Sequence, residues 1–218
     1  MKHVYSLMLD DGVVAAIDRL AYQSGTNRSN MINGILAQYA SYTTPEERIR
    51  RAFAQIMGLV GGEGLLPATE PSDTLLSLRS ALMYKYNPTV RYSVQLYRTQ
   101  EEGAGELRVS LRTQNRLLTE LMMRFFRLWN DLERRHIGEC DSAAVDGKYV
   151  RRLVPRDKSG ARVAVSDPLQ LGDAIAAYIR AFDGALKTYF RYAEDERAAL
   201  CAIEEEYIAR LSNGKLIL

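Results

Sequence analysis

The chain is poor in the residues that usually do chemistry, with two cysteines and two histidines in 218 residues. Cys140 and Cys201 are too few for a disulfide framework, and a reducing, cytoplasmic setting is expected. His136 and Cys140 are spaced so that both could reach one metal, but a zinc site needs four protein ligands, or three and water. No metal and no cofactor is therefore expected. No serine or cysteine stands in a nucleophile motif. The glycine-rich stretch 58–73 lacks the Gly-Lys-Ser/Thr ending of a phosphate-binding P-loop, and Glu204-Glu205-Glu206 reads as a solvated helix face. These absences argue against an enzyme. Net charge is only +2, so no global field steers the chain to nucleic acid or membrane. No apolar run approaches the ~20 residues of a bilayer span, so no membrane partner is expected. With a strand pattern from the first residues, no signal peptide is expected.

The first 40 or so residues carry the clearest pattern. Tyr5, Leu7 and Leu9 alternate with Val4, Ser6 and Met8, the period of a strand with one buried face. Asp10 and Asp11 suit the positive end of a first helix, whose Val13, Val14, Ile17, Leu20 and Ala21 fall at helical spacing. Gly25 reads as its left-handed C-terminal cap. Asn27 reads as the N-cap of a second helix, with Met31, Ile32, Ile35, Leu36 and Tyr39 continuing the apolar stripe. A lone strand has no partner in its own chain, so a second copy must complete it. A two-fold homodimer through the N-terminal strand is the expectation.

This run resembles the ribbon-helix-helix family of bacterial DNA-binding proteins, to which the Arc and methionine repressors belong. The matching residues are the strand alternation, the Leu9-Asp10 step into the first helix, Gly25, and Asn27-Arg28-Ser29 before Met31-Ile32. The match covers roughly the first fifth of the chain. It implies a two-stranded antiparallel ribbon in the major groove of double-stranded DNA. Lys2, Val4, Ser6 and Met8 would meet the groove, while Asn27, Arg28 and Ser29 would hold a phosphate at the second helix. Two features depart from the pattern. Val4 and Met8 can touch only apolar groups such as a thymine methyl, whereas Arg, Lys, Asn and Gln are the usual base readers. Residues 1–44 also balance three basic side chains against three acidic ones, though phosphate neutralisation normally supplies much of the affinity.

The expected fold class is α+β, with residues 1–44 as the ribbon-helix-helix module. Residues 45–74 read as a helix begun by Thr44-Pro45, followed by a Gly/Pro-rich linker. Residues 75–218 read as an α+β domain in which a three-stranded antiparallel meander, within 75–112, packs against long helices. The helices are expected over 114–137, 174–192 and 194–211. Segment 138–166 reads as irregular and basic. Its Lys148, Arg151, Arg152, Arg156, Lys158 and Arg162 form an auxiliary surface for flanking DNA or an acidic partner, or else a solvated loop. Tyr84, Tyr86, Tyr92 and Tyr97, interleaved with Lys85, Arg91 and Arg98, raise single-strand binding as a lesser alternative. A protein or small-molecule effector at this domain is a further expectation, by analogy alone. The leading expectation is a dimeric transcriptional regulator of bacterial or mobile-element type. The alternative is a dimeric interaction scaffold for plasmid transfer, partition or phage assembly, with a ribbon that serves dimerisation only.

Overall fold

A computed structural model describes residues 4–62, 64–85, 87–99, 101–192, 195–213 and 217–218, without the side chains of Glu196 and Asn213. The chain divides into two compact units, Met1–Glu47 and Arg48–Leu218.

In the small unit, Asp10 caps helix α1 (Asp11–Gln23) by accepting from the Gly12 N–H. Asn27 caps α2 (Arg28–Tyr39) by accepting from the Asn30 N–H. Between the helices, Gly25 sits at φ +61°, the left-handed conformation that closes a helix and that side chains resist. Residues 4–9 form neither helix nor strand among the described residues. The strand expected there is thus without a ladder in the single chain.

Helix α3 (Pro45–Val60) starts where expected, with the Thr44 hydroxyl accepting from the Glu47 N–H. From Arg48 onward it belongs to the large unit and buries Ile49, Ala52, Phe53, Ile56 and Val60. The linker expected over 58–73 is shorter than predicted. Gly58 continues the helix, and Leu65–Pro67 forms an edge strand, β1, because Leu65 has a core position to fill.

The sheet has six antiparallel strands where three were expected: β1, β2 (Leu75–Ala81), β3 (Thr89–Leu96), β4 (Gly105–Leu111), β5 (Ser142–Val145) and β6 (Lys148–Leu153). Their spatial order is β1-β2-β3-β4-β6-β5. The predicted meander is its centre. Within segment 138–166, expected to be irregular, residues 142–153 form a hairpin: Asp146 and Gly147 both take positive φ, the two-residue turn that matches strand twist.

Helices α4 (Arg116–Ile137), α5 (Pro168–Arg191) and α6 (Glu196–Asn213) complete the unit. One sheet face, with Leu78, Tyr92, Val109 and Tyr149 aligned across four strands, is buried with the helices. Phe126 stacks on Tyr149 at 5.3 Å, and Phe182 reaches Phe125, Trp129 and Tyr149 within 5.3 Å. Such a cluster adds directional ring contacts to ordinary apolar burial. Gly172 is fixed by packing. A Cβ there would lie 2.7 Å from the Gln55 Cβ and 2.9 Å from the Ala52 carbonyl oxygen. Gly172→Ala should therefore destabilise the large unit by about 1–3 kcal/mol, as overpacking does, measured by denaturant unfolding.

Candidate nucleic-acid interface

Residues 4–9 are all exposed, though not equally. Val4 and Met8 are fully exposed, Tyr5 and Leu7 are 79% and 62% exposed, and Leu9 is 43% exposed. The odd residues are thus less fully exposed than Val4 and Met8. Ser6 is exposed with them. Lys2 lies outside the described residues.

At the start of α2 the predicted phosphate clamp is partly engaged. Asn27 spends its side-chain oxygen on the cap. Arg28 donates through Nε to Asp18 Oδ1 at 2.7 Å and through Nη2 to Oδ2 at 2.5 Å, a two-pronged pair across α1 and α2. The hydrogen bond to Arg28 holds the Asp18 carboxyl below its ordinary range. Both partners are about half exposed, so the pair contributes little stability and can exchange. Ser29 is exposed.

The module is short of core. Its buried apolar residues are Ile17 and Ala21, while Val13, Leu20, Ile35 and Leu36 are each exposed by more than 40%. A unit this small is marginal on its own core and commonly needs a further support such as oligomerisation.

In the large unit the auxiliary basic group is dispersed. Arg151, expected on that basic surface, is instead buried at 2% exposure. It lies on β6 on the core side, where it donates from Nε to Glu133 Oε2 at 2.9 Å and from Nη2 to the Leu218 main-chain oxygen at 2.5 Å. Its guanidinium also covers the Tyr178 ring at 4.8 Å. Glu133 is fully buried on α4, and the Tyr149 hydroxyl donates to it at 3.3 Å. Burial pushes the Glu133 carboxyl up, against the pull of Arg151. Arg152 pairs with Asp141 at 3.2 Å, and Arg156 donates to the carbonyls of Glu139 and Gly160. Lys148, Lys158 and Arg162 are exposed.

A second buried carboxylate, Asp183, accepts from the Tyr92 hydroxyl at 2.8 Å and the Ser80 hydroxyl at 3.2 Å, and pairs with Lys187 at 2.6 Å. Tyr92 is therefore a core residue, Tyr84 packs on Phe190 at 5.1 Å, and Tyr86 lies outside the described residues. The aromatic platform considered for single strands is not assembled by these side chains. His136 and Cys140 also part company: His136 contacts Glu204 at 2.8 Å, while Cys140 accepts from Arg151 at 3.2 Å. An apolar cleft beside Tyr178 and Tyr207 encloses about 80 Å³, far below the ~300 Å³ of the smallest usual ligand pocket. No helix among the described residues is long and apolar enough to cross a membrane.

Comparison with protein-family models, curated proteins and solved structures finds no match for this chain.

Proposed function

We propose that this is a non-enzymatic, dimeric DNA-binding regulator of bacterial or mobile-element type. In this reading residues 4–9 of two copies form an antiparallel ribbon in the major groove. The observation that carries it is the small unit's missing core. A segment with alternating side chains but no ladder precedes two capped helices, and Val13, Leu20, Ile35 and Leu36 on those helices remain exposed. A second copy satisfies both needs at once, pairing the backbone and covering the apolar stripe. Val4, Ser6 and Met8 then face the groove together with Lys2. Arg28 exchanges Asp18 for a phosphate at the N-terminus of α2.

Two single substitutions test the docking. Arg28→Ala should weaken binding to all duplex sequences alike and lower the salt slope by about 1. Asp18→Asn, which releases Arg28, should strengthen binding and leave sequence preference unchanged. If neither variant alters affinity or slope, the α2 phosphate contact is wrong.

One observation favours the scaffold alternative. Arg28 is already satisfied by Asp18, and the outward ribbon residues Val4 and Met8 are apolar. A dimer that holds its size but binds no DNA at low salt would select that reading.

A further inference from the structure

The sheet face away from the helices carries a feature that burial and folding do not explain. Strand register places Leu66, Arg79, Arg91, Ser110 and Lys148 in one row across five strands. Arg79 and Arg91 are direct cross-strand partners. Like charges directly opposite each other on a sheet repel and destabilise it. Both arginines and Lys148 are exposed, and none of the three has an acidic partner among the described residues. Neighbouring cations on the same face differ. Arg108 is paired with Glu106, and Arg152 with Asp141. Unneutralised charge therefore runs along this row.

We infer that this row is a second DNA contact, holding backbone phosphates of duplex DNA. Arg79 and Lys148 are three strand spacings apart, about 14 Å. Phosphates of one DNA strand rise by ~3.4 Å along the axis, so the row spans several of them. Arg79 and Arg91 can each grip phosphate oxygens through a planar fork, Lys148 acts as a point charge, and the Ser110 hydroxyl adds a donor between them. The strand residues of this face include no aromatic side chain, since Tyr92 and Tyr149 point into the core. The surface therefore suits a backbone and not unstacked bases, which need rings to stack on. The row also supplies cations that the charge-balanced first 44 residues lack.

This inference rests on the DNA-binding reading above. Its test is duplex binding by the full chain over a salt series, comparing wild type with an R79T/R91T/K148T variant. The slope of log affinity against log salt should fall by about 2–3, near 0.9 for each lost phosphate contact. Melting temperature should stay level or rise, because the variant removes cross-strand repulsion. If the triple variant melts early, Arg91→Glu replaces it. That change makes an attractive pair with Arg79, and it should still weaken binding and flatten the slope. Unchanged slope and affinity in a folded variant would overturn the inference while leaving the ribbon reading intact. No duplex binding by wild type would overturn both.

Discussion

Replacing Arg151 by Met is expected to destabilise the large unit by about 3–5 kcal/mol, because it leaves the buried Glu133 carboxylate without its cation. In a unit of this size that loss lowers the melting temperature by roughly 10 °C. The pH dependence gives the cause away. Burial already raises the Glu133 carboxyl, and loss of Arg151 raises it further above its unfolded value of about 4.3. A carboxyl raised in the folded state favours folding only while protonated, so its contribution is lost as pH climbs through the folded value. The variant's deficit should therefore be smallest near pH 4 and widen toward neutrality. A Glu133→Leu, Arg151→Met double variant should recover most of the loss, since an apolar pair needs no partner. A deficit that ignores pH and persists in the double variant would assign Arg151 a packing role instead.

The second large effect is expected at the ribbon. Leu7→Asp with Leu9→Asp should abolish the dimer, which light scattering reads as a fall to one 24.6 kDa chain. Duplex affinity should drop by more than about 100-fold, because in the proposed docking the groove-facing surface forms only when two strands pair. The exposures decide the choice of positions: Leu7 and Leu9 are less exposed than Val4 and Met8, and charge there opposes the burial that pairing would bring. Val4→Ser or Met8→Ser, on the outward side, should keep the dimer and change only DNA binding. A wild-type chain that scatters as a monomer would sink this prediction at the outset.

Local signals made much of the fold readable. Asn27, Thr44 and Asp10 cap where their side chains must, Gly25 takes the left-handed φ that a helix end demands, and the 2-residue period of Val90, Tyr92, Val94 and Leu96 marks the buried face of β3. The hairpin after α4 was missed because charge outweighed pattern: Arg151 and Arg152 read as a basic loop. Yet Asp146-Gly147 is a strong two-residue turn signal, and Tyr149, Arg151 and Leu153 alternate on one face. That Arg151 is the buried one depends on Glu133, 18 residues away on another element. Edge strand β1 was hidden among glycines, since three residues are too few for a period. The Arg79–Arg91 row follows from register, which local pattern does not fix.

The central claim is that the small unit reads duplex DNA as a ribbon. Binding of the purified full chain to random-sequence duplex DNA, followed from low to high salt, tests it most directly. The account predicts binding at low salt whose log affinity falls linearly with log salt, with a slope of several units. Absence of binding at the lowest salt, with the dimer intact, would contradict it and leave the small unit as a dimerisation device.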